Sequence, residues 1–263
     1  MIEKKFLIVG NWKMNANALE AAAISKQLLP YKAMLEKYDL QIKVVISPPF
    51  PFISLVKDLV VELKIALGAQ DCHEQEQGAF TGDVSARMLA SLGCQYIILG
   101  HSERRRFHHE TNQLVSMKVA TCVKHNLIPI ICIGETEEEK NQGQTFKILN
   151  RQLEECLPKE KLAGKSFVVA YEPVWAIGSG KIPEDKEISF IHQHIYQYLL
   201  KFSSNQLFSV IYGGSVKPEN AGLIAGLKRV DGLLVGGVSL QADNFVEVIK
   251  KSSMSLSQFD MQA

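Results

Sequence analysis

Cysteine is sparse and unpatterned in this 263-residue chain: Cys72, Cys94, Cys122, Cys132 and Cys156 include no C-x-x-C pair. This argues against a disulfide framework or a cysteine zinc site and for reduced thiols in a cytoplasm. An excess of charge is missing too. Lys and Arg number 29 against 28 Asp and Glu, a formal net charge of +1, so no global field favours nucleic acid or an anionic membrane surface. No apolar run approaches a membrane span, and membrane association is not expected. The opening MIEKKFLIVG has only a short apolar run and no small-residue cleavage site, so secretion is not expected either.

What is present is a recurrence. Short apolar, β-branched runs fall at Phe6–Gly10, Ile42–Ile46, Lys64–Gln70, Tyr96–Gly100, Ile128–Ile133, Phe167–Tyr171, Phe208–Tyr212 and Gly232–Gly236. Amphipathic stretches of helical period, such as LVSMKVATCVKHN and FKILNRQLEECL, lie between them. Strand and helix in alternation predict parallel pairing, and strands apolar throughout are buried on both faces. Eight such units, in a length near the ~250 residues of a (β/α)8 barrel, predict that α/β architecture, each strand followed by a helix. An open doubly wound sheet is the second reading, but no G-x-G-x-x-G follows the first strand. Without a linker or composition break, residues 1–251 read as one barrel domain and the polar residues 252–263 as a frayed tail.

A parallel barrel collects its function at the carboxyl ends of its strands. After the first strand, GNWKMN places Asn11 and Lys13 two apart, facing the same way if the extended conformation continues. Lys13 then reads as a fixed positive charge at the barrel mouth, with Glu103 as its counter-ion. After the fourth strand, His101 stands where a helix can open, with Ser102 available for capping and Glu103 suited to the helix dipole. That dipole favours a neutral imidazole able to donate to a polarised carbonyl. His108 and His109 are adjacent and not spaced for a shared metal, and Arg104–Arg106 read as surface ion pairs without the aromatics of an RNA site.

After the sixth strand comes Glu172. A strand-end carboxylate commonly caps the next helix or pairs with a lysine, but here Pro173, Trp175, Gly178 and Gly180 follow, the make-up of a lid with stiff ends and a bending tip. Closure of such a lid would exclude water and make the carboxylate a stronger base. The glycines of YGGS and LVGG, after the seventh and eighth strands, offer backbone N–H groups where barrels often hold phosphate.

Taken in order, GNWKMN, SPPF, GAQDCH, GAFTGDVS, LGCQYIILGHSERR, IPIICIGET, AYEPVWAIGSGK, YGGSVKPENA and DGLLVGG resemble the triosephosphate isomerase family, over nearly the whole chain up to about Lys250. The resemblance implies interconversion of dihydroxyacetone phosphate and glyceraldehyde 3-phosphate through an enediol(ate), with no metal or organic cofactor. By position, Glu172 matches the base, His101 the neutral electrophile, and Lys13, beside Asn11 and Glu103, the cation that steadies the anionic transition state. Gly178, Ser215, Gly236 and Gly237 match the phosphate grip. The lid comprises Pro173, Val174, Trp175, Ala176, Ile177, Gly178, Ser179, Gly180 and Lys181. The long polar loop QDCHEQEQGAFTGDVSAR implies a homodimer, with Thr81 matching the residue that touches the partner's active site.

The chain departs from the family's usual pattern at several points. GSGKIP stands where GTGKTA is usual, and Pro183 restricts the backbone of Ile182 at the far hinge. His108-His109 replaces a frequent Phe-Gly, Asp83 a glutamate, Ser209 an arginine and Val238 an alanine. These bear on packing and interface more than on chemistry. Two other readings stay open at this level: another phosphate-binding barrel enzyme, such as an aldolase with a Schiff-base lysine, and a non-catalytic barrel scaffold. Retention of Lys13, His101 and Glu172 together argues against the scaffold.

Overall fold

The computed structural model describes residues 5–178, 181–204 and 207–260, the last three of these by backbone alone. Eight strands, β1 (Phe6–Asn11), β2 (Ile42–Ser47), β3 (Ala66–Ala69), β4 (Tyr96–Leu99), β5 (Ile128–Ile133), β6 (Phe167–Tyr171), β7 (Phe208–Tyr212) and β8 (Gly232–Val235), form a closed barrel in sequence order. Every pairing is parallel. β1 runs beside β2 from Phe6 opposite Ile42 to Asn11 opposite Ser47. Closure comes on its other side, where Leu7 to Gly10 lie opposite Gly232 to Val235. A Cβ on Gly232 would stand 2.2 Å from the Leu7 carbonyl oxygen, so this seam requires glycine.

The apolar strand runs are buried on both faces, and the faces belong to different layers. Leu7, Val9, Val45, Ile98, Val168 and Leu234 belong to one buried cluster, the filling of the barrel. Phe6, Ile8, Ile46, Leu99, Val169 and Val235 belong to a second, larger cluster shared with the helices. The two-residue period of a strand produces this division, and each large apolar side chain so buried contributes roughly 1.5–3 kcal/mol.

Local sequence sets the helix limits. Asn17 caps Ala18–Gln27 reciprocally with Glu20, and Thr136 does the same with Glu139. The long amphipathic stretch after Asn17 is broken in the middle, because Pro30 lies in the 3-10 turn Leu29–Tyr31 before helix resumes at Lys32–Tyr38.

The end of the chain differs from the sequence expectation. Instead of fraying after Lys251, the last helix runs over Ala242–Asp260, with Ser252 and Ser253 buried. Ser253 Oγ donates to Gln41 Oε1 at 2.9 Å, while Gln41 Nε2 donates to Ser257 Oγ. Serine clusters suggest loops because their hydroxyls compete for backbone partners. Here Gln41, just before β2, supplies a side-chain partner instead.

His192 lies fully buried on the helix Asp185–Leu199, its ring edge-on to Tyr171 and tilted against Tyr212. Its Nδ1 lies 3.1 Å from the Arg229 carbonyl oxygen, to which it donates as the neutral imidazole, and its Nε2 has no partner. Burial holds its pKa down from 6.5 to about 4, against a smaller upward pull from the Arg229 bond. Between those values the unfolded chain takes up a proton that the folded chain refuses, so stability is full above pH 6.5 and falls as pH drops toward 4. The expected loss is about 3 kcal/mol. Denaturant melts across this window would show it as a slope that flattens in His192→Gln, and equal slopes in the two proteins would refute it.

Candidate active site

Glu172 is the first residue beyond β6 and is almost fully buried. Its backbone N–H donates to the Ile133 carbonyl at 2.7 Å, and the next connection across the ladder is Gly213 N–H to the Tyr171 carbonyl at 2.8 Å. Gly134 makes this approach possible, since a Cβ there would come within 1.7 Å of the Glu172 carbonyl oxygen. One carboxylate oxygen, Oε2, accepts the Ser102 N–H at 2.9 Å. The other, Oε1, lies 3.1 Å from His101 Nε2 but is not aligned for a hydrogen bond, which leaves it a buried oxygen without one. A buried carboxylate with an unpaired oxygen in a cavity is an available proton acceptor.

Beneath it lies Cys132, a residue the motifs did not single out. Burial, reinforced by the Glu172 charge, pushes its thiol well up, so it stays protonated beside the carboxylate. Its place as an inward residue of β5 was legible from the strand alternation, but its neighbour was not.

His101 caps the short helix Ser102–Phe107 itself, its Nδ1 accepting from the Glu103 N–H at 3.2 Å. Ser102, the expected cap, instead lends its N–H to Glu172. The reason is geometric: His101 already occupies the N-cap position. An Nδ1 that accepts carries no proton, so the neutral ring bears its proton on Nε2, facing Glu172.

Lys13 differs from expectation in one respect. The strand ends at Asn11, and Lys13 has a φ of +52°, so the extended conformation does not continue. Its left-handed backbone is held because its N–H donates to Asn11 Oδ1 at 3.0 Å and its carbonyl accepts from Gln70 Nε2 at 2.9 Å. Lys13 Nζ pairs with Glu103 at 2.5 Å, the predicted counter-ion.

Asn11, Lys13, His101, Glu172, Gly178, Ser215, Gly236 and Gly237 all line one cavity of about 240 Å³. Gly213, Gly214, Leu234 and Lys217 line it too; the glycine pair lay in the YGGS motif, while Lys217, in YGGSVKPENA, and Leu234, in DGLLVGG, receive no role from the sequence. A Cβ on Gly237 would meet nothing within 4 Å, so its backbone faces open space. Gly237 also opens the 3-10 turn Gly237–Leu240, whose first N–H groups have no acceptor within the turn.

The lid begins as a 3-10 turn, Val174–Ala176. Its near hinge rests on Glu135, a fully buried carboxylate that sequence reasoning missed. Trp175 Nε1 donates to Glu135 Oε1 at 2.8 Å, Tyr171 Oη donates at 3.1 Å, and the Val174 N–H meets the Glu135 carbonyl. Lys140 lies 3.6 Å over the Trp175 ring, and Lys181 at the far end pairs with Glu137. Ser179 and Gly180 lie outside the described residues. Arg104 and Arg105 are not the surface pairs expected: Arg104 bonds Asp71 and Glu110, and Arg105 bonds the carbonyls of Gly100 and Cys132. They are drawn inward because their short helix lies against neighbouring strand ends. Among the described residues no group of three or more His, Cys, Asp or Glu is arranged to hold a metal. Thr81 is away from this cavity, exposed on the loop after β3.

Fold and site together define a (β/α)8 barrel with a buried carboxylate–imidazole pair and a glycine-lined cavity at the carboxyl ends of its strands. A family model described as triosephosphate isomerase matches residues 6–252. Proteins named triosephosphate isomerase are similar along the same length. The one from Geotalea uraniireducens is 40% identical over 255 residues, covering 95% of this chain and 99% of its own. Those from Chlorobium phaeobacteroides and Bradyrhizobium diazoefficiens are 41% and 43% identical, covering 94% and 93% of this chain and 98% and 96% of their own. The chain belongs to the triosephosphate isomerase family.

The close approach at Gly134 is a direct test of how tightly Glu172, matched by position to the base, is placed. Gly134→Ala must displace the Glu172 backbone, costing about 1–3 kcal/mol of stability and roughly 100-fold in kcat. Thermal melts with steady-state kinetics measure both, and an unchanged kcat would show that the contact does not position the base.

Proposed function

We propose that this chain interconverts dihydroxyacetone phosphate and glyceraldehyde 3-phosphate, with Glu172 as the base. The observation that carries the proposal is the unpaired Glu172 Oε1, 3.1 Å from a His101 Nε2 whose partner nitrogen already accepts a hydrogen bond. Glu172 removes a proton from the carbon beside the carbonyl. His101 Nε2–H donates to the carbonyl oxygen where negative charge develops, and Lys13 stabilises the resulting enediolate. His101 passes its Nε2 proton to that carbonyl oxygen and takes the proton of the neighbouring hydroxyl in its place, and Glu172 returns its proton to the former carbonyl carbon, which completes the isomerisation with no net change in redox state.

The phosphate sits against the backbone at Gly178, Ser215, Gly236 and Gly237. Lid closure over it excludes water and holds the enediolate in a geometry that resists phosphate loss. The buried Trp175–Glu135 contact gives the lid a fixed hinge. Asn11 holds the Lys13 backbone and presents its amide to the same cavity, and Glu103 keeps the Lys13 ammonium in place. The chemistry requires no cofactor, and the free thiols of all five cysteines fit a cytoplasmic location. Among the described residues no helix is long and apolar enough to cross a membrane.

The working unit we infer is a homodimer. Met14, 96% exposed, lies with Phe50 and Phe107 in a second cavity of about 680 Å³ that shares Asn11, Lys13, His101 and Glu103 with the active site. The loop carrying Phe80 and Thr81 projects into solvent, and seating its tip in this cavity of a second copy covers the apolar wall beside Lys13.

Two outcomes follow. Glu172→Gln keeps the fold by circular dichroism and loses about 10²–10⁴-fold in kcat in a coupled isomerase assay; near wild-type turnover would remove Glu172 as the base. Dilution to a monomer verified by sedimentation lowers specific activity, and full activity in that monomer would remove the dimer from the mechanism.

A further inference from the structure

Cys72 and Cys122 are fifty positions apart in sequence, yet their sulfurs lie 3.6 Å from each other in a buried contact where either thiol can donate to the other. Among the described residues no other pair of cysteine sulfurs is in such contact. Cys132 lies against Glu172, and Cys156 is engaged by Arg105 and Asn112. Cys72 precedes the exposed loop after β3, and Cys122 belongs to the helix Asn112–Lys124.

Both thiols are buried, but only Cys72 borders a cavity, one of about 480 Å³ with Lys118 and Arg104 among its walls and Asp71 and Glu110 opposing them. Lys118 Nζ lies 2.8 Å from Asp71, and Arg104 Nη2 lies 2.9 Å from the same carboxylate, so two cations stand beside the residue preceding Cys72. Cys72 is the member of the pair that borders the cavity, so it is the one a small molecule entering there meets first.

We propose that Cys72 and Cys122 form a dithiol site that closes to an intramolecular disulfide when a small uncharged peroxide enters this cavity. In the first step the Cys72 sulfur gives up its proton as it attacks one peroxide oxygen. The S–O bond forms, the O–O bond breaks, and the departing hydroxide takes up a proton to give water and a sulfenic acid. In the second, the Cys122 sulfur attacks the Cys72 sulfur. The S–S bond forms as the S–O bond breaks, and the hydroxide leaves with the Cys122 proton as a second water. One peroxide is reduced and two thiols are oxidised, in balance. The sulfurs, already in contact, close to a bond of about 2.0 Å. The hydrogen bond to Cys72, followed by burial, keeps the Cys122 thiol protonated, which suits it to supply that proton. The bond ties the start of the loop bearing Thr81 to the helix behind it.

The test treats the reduced, full-length protein with hydrogen peroxide, blocks remaining thiols under denaturing conditions and maps the peptides. The expected product is a Cys72–Cys122 cross-linked peptide pair, two hydrogens lighter than its parts and separated by dithiothreitol. In Cys122→Ala the same treatment leaves Cys72 as a sulfenic acid captured by dimedone, and in Cys72→Ala Cys122 remains a thiol. A cross-link to any other cysteine or between chains overturns the proposal. So does a wild-type chain in which Cys72 stays reduced or accumulates as an uncoupled sulfenic or sulfinic acid. The readout is chemical and does not depend on isomerase activity.

Discussion

The seam between β1 and β8 is the constraint on which the rest depends. Gly232 lets β8 lie against the Leu7 carbonyl, and that closure brings the first and last strand ends together. Asn11 and Lys13, near the beginning of the chain, therefore face Gly236 and Gly237, near its end; a Cβ on Gly236 would be 3.5 Å from Lys13 Cε. An open sheet would leave those two groups at opposite edges. Barrel closure thus creates the cavity, and the individual strand ends furnish it.

Within that frame the site is held mainly by backbone. Glu172 is fixed through its own N–H, through the absence of a side chain at Gly134 and through the Ser102 N–H on its carboxylate. His101 is fixed by the Glu103 N–H, and Lys13 by bonds to both of its backbone groups. Backbone groups in a closed ladder have little freedom, so Glu172, His101 and Lys13 are held in fixed positions, the pre-organisation that the proposed chemistry requires.

Polar groups buried around the mouth have structural duties that surface chemistry would not suggest. Glu135 keeps its charge cost low by accepting from Trp175 and Tyr171 and so ties the turn after β6 to the loop after β5. Burial raises its pKa, while those hydrogen bonds pull it down. For Glu110, burial acts upward, but Lys118 and Arg104 prevail and hold it below the usual range. The same cations line the cavity beside Cys72, linking the charge cluster to the dithiol.

The sequence by itself determined the eight apolar strands, their parallel alternation with helices and the polar residues and glycines that stand at their ends. Each of these is written in local period or in a short motif: Glu172 before Pro173, His101 after Gly100, the glycine pairs after β7 and β8. The ion pair of Lys13 with Glu103 was also legible, because two opposite charges at strand ends of one barrel have few other partners. Tertiary structure alone decided that His101 rather than Ser102 caps its helix, that Lys13 turns left-handed and that residues 252–260 stay helical, with Gln41 meeting Ser253 and Ser257. It alone placed Glu135 under Trp175 and Cys72 against Cys122. These depend on contacts between residues distant in sequence, and a periodic pattern records which face of an element is buried without recording what it meets there.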